Sequence, residues 1–209
     1  MGGVRKPFLH LLGEPVLVHS LRPFLADPRV DSVIVALAPD DACDPPRWLT
    51  DLDPRIHVVA GGETRAASVR AAVRAMADEI DVIAVHDAAR PLVSDEVVTA
   101  CIDVAAGGDG AVAGCPAVDT MKRVDADASI VDTPDRATLW HAHTPQVFPG
   151  EILREAYARG DDSATDDSAL VEASGLRIVM VDDGGMNLKV TRPHDVAVAE
   201  AILTAQRVS

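Results

Sequence analysis

The chain has 209 residues, enough to bury a substantial core without disulfide staples, and this length suits one domain. Its 33 Asp and Glu against 19 Lys and Arg give a net charge of -14, which excludes general affinity for nucleic acid or an anionic membrane. Cys43, Cys101 and Cys115 form no C-x-x-C pattern, no apolar run reaches transmembrane length, and Arg5, Lys6, Glu14 and Pro15 interrupt any signal-peptide pattern, so a cytoplasmic protein is expected.

The opening Met1-Gly2-Gly3-Val4-Arg5-Lys6-Pro7 places a glycine pair and two cations ahead of any predicted element. It reads as the end of a loop whose backbone N–H groups wrap a phosphate, with a frayed terminus bearing surface cations as the alternative. Glu14 to Asp27 has helical spacing, with Pro15 in the first turn. Ser32 to Ala38 and Ile56 to Ala60 are apolar strands. The second runs into Gly61-Gly62-Glu63-Thr64-Arg65, a turn before a helical run over Val69 to Ala77, with neither P-loop nor dinucleotide spacing.

Val82 to Val85 is a continuous apolar run of the kind buried in a parallel sheet. It ends abruptly in His86-Asp87-Ala88-Ala89-Arg90-Pro91, where Pro91 forbids a ladder bond. Ligands of open α/β sheets sit beyond the carboxyl ends of strands, so Asp87 and Arg90 are predicted to face that crevice. A helix from Ser94 to Ala106 and a strand over Gly110 to Cys115 continue the alternation of a doubly wound, mostly parallel α/β sheet.

The alternation then breaks. Thr120 to Val124 and Ile130 to Thr133 predict a projecting β-hairpin arm at about 117–139, which needs something to pack on, plausibly a second subunit. Trp140 to Phe148 reads as an aromatic-flanked turn; His141 and His143 lack a clear third metal ligand and are assigned packing or surface roles. Gly150 to Arg159 is helical, and the Asp-rich run up to Ser168 is a helix N-terminus whose spacing does not match an EF-hand. Leu176 to Val181 is a strand, Asn187 to Thr191 a short extended stretch holding Lys189, and Pro193 to Gln206 the last helix.

On Lys6-Pro7-Phe8-Leu9, Gly61-Gly62 with Arg65 and Ser68-Val69, Val85 to Pro91, Asp119 to Lys122, Leu139-Trp140 with Thr144-Pro145-Gln146, Thr165-Asp166-Asp167 and Asn187 to Thr191, the chain resembles the 2-C-methyl-D-erythritol 4-phosphate cytidylyltransferases of the non-mevalonate isoprenoid pathway. The resemblance spans essentially the whole chain and implies a Rossmann-like nucleotidyltransferase. In the implied reaction a phosphate oxygen of methylerythritol phosphate attacks the α-phosphorus of CTP, and pyrophosphate leaves. It implies catalytic roles for Lys6 and Lys189, nucleotide contacts from Gly2, Gly3, Gly62, Ser68, Asp87 and Ala88, and Mg²⁺ carried on the CTP phosphates rather than on protein ligands. It further implies acceptor contacts from Asp87, Arg90, Thr165 and Lys189, with Thr120 and Arg136 delivered by the arm across a homodimer. Ribitol-5-phosphate cytidylyltransferases are similar across the same motifs, and a non-catalytic nucleotide-binding remnant is the alternative from another class. Family members begin with a strand and an Ala-Ala-Gly-x-Gly-x-Arg-Met-Gly loop; Met1-Gly2-Gly3 matches only its end, so the expectation is that the native chain is longer and that this one is less stable and poorly active.

Overall fold

The computed structural model describes residues 8–159 and 164–206. Gly2, Gly3 and Lys6 lie outside the described residues. Two short strands, β1 (His10–Leu11) and β2 (Glu14–Pro15), pair through a turn in which Leu12 and Gly13 take φ of 50° and 86°. Helix α1 (Val16–Ala26) follows, and its Leu17 and Leu21 pack on Val35 and Leu37 of β3 (Val33–Leu37). The short helices α2 (Pro39–Cys43) and α3 (Arg47–Thr50) lead to β4 (Ile56–Ala60), which pairs in parallel with β3.

Helix α4 (Arg65–Ala75) starts earlier than its apolar spacing suggests, because Thr64 accepts the Ala67 N–H and caps it. Strand β5 (Val82–Val85), helix α5 (Asp95–Ala106) and strand β6 (Gly110–Pro116) come next, with Ser94 capping α5. The arm carries β7 (Arg123–Val124) and β8 (Ile130–Asp132), an antiparallel pair. Strand β9 (Trp140–Pro149), helices α6 (Gly150–Ala158) and α7 (Asp167–Glu172), strand β10 (Ile178–Asp182) and helix α8 (Pro193–Gln206) complete the order.

Two expectations are corrected. Trp140 to Phe148 belongs to a ten-residue strand rather than a turn, running antiparallel to both β6 and β5 in a sheet ordered β10-β6-β9-β5. The α/β architecture therefore holds with a mixed sheet, since β9 opposes its neighbours while β6 and β10 run parallel. Among the described residues, Asn187 to Thr191 pairs with no sheet; backbone and side-chain bonds tie it to the fold, among them the Val190 N–H donating to the Ala89 carbonyl at 2.7 Å.

The central strands fall into two separate sheets. Among the described residues β3 pairs only with β4, and β5 only with β9, so each keeps one unpaired edge. Both edges line one cavity of about 540 Å³, walled by Leu17, Leu21 and Phe24 of α1 and by Val69 and Val73 of α4. This slot between the two sheets is also lined by Arg65, Ser68, Asp87 and Ala88. Among the described residues, no helix is long and apolar enough to cross a membrane.

Candidate active site

The site begins where β5 stops. The Asp87 N–H donates to Thr144 Oγ1 at 2.9 Å, and the Arg90 N–H turns back to the Asp87 carbonyl at 2.9 Å. The Asp87 carboxylate thereby projects off the strand end. Three cations meet it: Arg65 Nε at 3.1 Å on one oxygen, and Lys189 Nζ at 2.8 Å and Arg90 Nε at 3.4 Å on the other. Burial alone would raise the Asp87 pKa, but hydrogen bonds and charge from Lys189 and Arg65 outweigh it and hold the carboxyl at about 2.

Each cation is anchored from a different element. Arg90 is only 8% exposed and donates to the Asn187 carbonyl at 2.7 Å, while burial pulls its pKa down against the attraction of Asp87. Arg65, at the start of α4, reaches the fully buried Asp167 at 2.6 Å, and Asp167 also accepts a hydrogen bond from the Tyr157 hydroxyl. Arg65 loses solvation in the process, but the two carboxylates more than compensate and its pKa rises. Lys189 remains the most solvent-accessible of the three, with its side chain 42% exposed.

Behind the carboxylate runs a chain of neutral bonds. Thr144 Oγ1, already accepting from Asp87 N–H, lies 3.1 Å from His86 Nδ1, and His86 Nε2 lies 3.1 Å from the Arg90 carbonyl. One proton arrangement satisfies all of them: the Thr144 hydroxyl donates to Nδ1, and Nε2–H donates to the carbonyl. Desolvation of the ring lowers the His86 pKa to about 4, so the neutral tautomer holds at physiological pH. Gln146, 1% exposed, bridges β9 to α7 by donating to Asp166 at 2.9 Å and accepting from the Ser168 N–H at 2.8 Å.

The glycine turn precedes Arg65 and Ser68, which line the same cavity. Gly62 N–H donates to Ser68 Oγ at 3.1 Å, and the Ser68 hydroxyl lies 2.9 Å from the Thr64 carbonyl. A Cβ on Gly62 would come within 2.4 Å of Ala67 Cβ, so only glycine lets the chain pass this close to α4. Arg65, in the same turn, ties this loop to Asp87.

The chain that carries this set of cations matches a family model over residues 1–205: 2-C-methyl-D-erythritol 4-phosphate cytidylyltransferase. Proteins of that name from Actinobacillus pleuropneumoniae and Aeromonas hydrophila are 41% and 42% identical, covering 97% and 96% of this chain and 89% and 83% of theirs. The chain belongs to this cytidylyltransferase family. The solved 2-C-methyl-D-erythritol 4-phosphate cytidylyltransferase of Thermus thermophilus superposes with a TM-score of 0.81 at 32% identity, covering 95% of this chain and 94% of that one. A 4-diphosphocytidyl-2C-methyl-D-erythritol synthase from Anaerococcus prevotii gives 0.88 at 26% identity, covering 98% and 92%.

Within this cytidylyltransferase fold, Asp87, Arg90 and Lys189 meet as expected, with Ala88 beside them accepting the Ser20 hydroxyl at 3.1 Å. Gly62 and Ser68 are hydrogen-bonded to one another. Thr165 lies two residues before Asp167, ahead of α7. Thr120 and Arg136 lie on the arm, where Arg136 donates to the Val118 carbonyl at 2.7 Å rather than to the Asp87 cluster. Arg65, Asp167, Tyr157, His86, Thr144 and Gln146 were not assigned site roles from the sequence; the signal was present for Arg65, spaced three residues after Gly62 in a motif.

Proposed function

We propose that the chain transfers a cytidylyl group from CTP to 2-C-methyl-D-erythritol 4-phosphate, a step of isoprenoid precursor synthesis. An acceptor phosphate oxygen forms a bond to the α-phosphorus while the bond from that phosphorus to the β-phosphate bridging oxygen breaks, and pyrophosphate leaves with the electron pair. The single observation that carries this reading is the Asp87 carboxylate with Arg65, Arg90 and Lys189 gathered on it at a strand end. Arg65 also pairs with the buried Asp167, so two of the three cations, Arg65 and Arg90, are held by further partners while Lys189 remains exposed.

The protein's work is positioning and charge stabilisation, since phosphoryl-type transfer asks little covalent chemistry of it. Asp87 aims Lys189 through their 2.8 Å contact, and Lys189 is exposed enough to transfer its hydrogen bonds to phosphate oxygens when the two reactants enter. Lys6 is assigned the second phosphate contact by its motif, and Gly2 and Gly3 are assigned nucleotide contacts by theirs. Gly62 and Ser68, hydrogen-bonded to one another, are assigned to the cytosine edge, and Asp87 and Ala88 to further nucleotide contacts. Arg90, Thr165 and Lys189 take the acceptor side.

Both Asp87 oxygens and both Asp167 oxygens are already hydrogen-bonded or ion-paired, so neither residue offers a free oxygen to a hard cation. The residues fit Mg²⁺ that arrives chelated by the triphosphate, where it would neutralise phosphate charge, and do not form a protein cage for it.

The arm supports a homodimer. Val118, Val124, Ile130 and Val131 are 76%, 50%, 64% and 62% exposed, on an arm whose two-stranded ribbon is marginal in isolation. A second copy covering this arm would receive Thr120 and Arg136 at its acceptor site. The free thiols Cys43, Cys101 and Cys115 suit a reducing cytoplasm.

The test is pyrophosphate release from CTP with each polyol phosphate. Release with methylerythritol phosphate in clear preference to ribitol 5-phosphate is the expected result. Preference for ribitol 5-phosphate overturns the acceptor, and release with neither overturns the enzyme reading in favour of a nucleotide-binding remnant.

A further inference from the structure

Beyond the phosphate site, the structure places three metal-binding groups together on adjacent strands. Cys115 is the penultimate residue of β6, His143 lies in β9, and Asp183 directly follows β10; β6 is the strand between the other two. Their ligand atoms all lie within 4.8 Å of one another. The backbone fixes this arrangement: the Asp183 N–H donates to the Gly114 carbonyl at 2.8 Å, and Gly114 and Cys115 pair with Ala142 and His141 across the ladder. Read from the sequence, His143 lacked a third ligand; the fold supplies two partners from distant segments.

We infer that Cys115, His143 and Asp183 form a binding site for a borderline divalent cation, with zinc the best match to one thiolate, one imidazole and one carboxylate and a water completing the tetrahedron. The carboxylate is already oriented for the task, because Asp183 Oδ1 accepts the Gly185 N–H at 3.0 Å while Oδ2 lies 2.7 Å from His143 Nδ1. A proton now bridges that pair. Two ligands at about 2.0–2.1 Å from a tetrahedral zinc stand roughly 3.3 Å apart, so replacing the proton by the ion asks this pair to open by about 0.6 Å. Asp183 is 1% exposed in its side chain, a carboxylate sequestered from water that gains a counter-charge on binding. Gly185 keeps the space above the sulfur open: even a Cβ there would stand 3.6 Å from Sγ.

The ion would pin the end of β10 to β6 and β9. Asn187, four residues on, donates to the Thr144 carbonyl at 2.8 Å and accepts Arg90 through its own carbonyl, so the site braces the wall behind Asp87 without touching substrate.

The test is titration of the chelator-stripped full chain with cobalt(II), followed by zinc, in absorption and thermal denaturation. Expected are a thiolate-to-cobalt charge-transfer band saturating at one equivalent, its loss when zinc is added, and a zinc-dependent rise in melting temperature. Cys115→Ser and His143→Ala should abolish the band, and Cys43→Ser should leave it intact. A wild-type chain with no thiolate band overturns the inference regardless of how the variants fold, as does a band that survives Cys115→Ser or disappears with Cys43→Ser.

Discussion

Lys189 Nζ sits 2.8 Å from Asp87 Oδ2, on a carboxylate that Arg65 and the buried Arg90 also contact. Asp87 is therefore the common counter-ion of the site. Asp87→Asn leaves Arg90 buried without its charge partner and should cost about 3–5 kcal/mol of stability, the usual penalty for breaking a buried pair. Urea denaturation followed by circular dichroism measures this; an unchanged midpoint would mean that water, not Asp87, balances the cations.

Gly62→Ala should displace the first turn of α4, because the new methyl would stand 2.4 Å from Ala67 Cβ. A misplacement of this size is expected to lower kcat/KM for CTP by about tenfold to a hundredfold with the acceptor KM little altered. Steady-state kinetics with each substrate varied in turn decides between this and a general loss of fold.

Arg136→Ala should raise the acceptor KM by about tenfold or more, the worth of a charge-assisted hydrogen bond, while CTP binding changes little. Equal losses on both substrates would contradict an acceptor role for the arm.

Acid should unfold the protein in two stages. His86 has a folded pKa of about 4 against an ordinary 6.5, so the unfolded chain binds the proton more readily; its contribution is complete above 6.5 and is lost as pH falls towards 4, on the order of 3 kcal/mol in all. Asp87, at about 2 against 3.8, adds a further loss below 3.8. Denaturation midpoints from pH 8 to 3 measure the curve, and a flat response between 6.5 and 4 would show that His86 stays accessible to protons when folded.

Strands β3 and β5 each keep an unpaired edge along the slot. Alternate amides of Val33–Leu37 and Val82–Val85 should exchange far faster than those of β6, which is paired on both sides. Uniform protection across all three strands would mean that the slot is closed in solution.

How much of this was legible in the sequence follows from where local pattern and tertiary pairing agree. The end of β5 was readable because Val82 to Val85 is wholly apolar and Asp87, Arg90 and Pro91 follow at once. Strand β9 was not, since Pro145 sits inside it and the consecutive polar His143 and Thr144 break any alternation; its ladder with β5 and β6 imposes the extended form. The Asp-rich run was half legible. Asp166 is the cap, accepting the Ala169 N–H, but Asp167 is buried under Arg65 and Tyr157, a role set by residues 102 and 10 positions away that no local reading supplies.

The rate of pyrophosphate release from CTP and methylerythritol phosphate by the Lys189→Ala chain, relative to the unsubstituted chain, tests most directly the claim that cations anchored on Asp87 hold the reacting phosphates. The account predicts a fall of about 10²–10³ in kcat with the melting temperature largely retained. Turnover equal to that of the unsubstituted chain would contradict it.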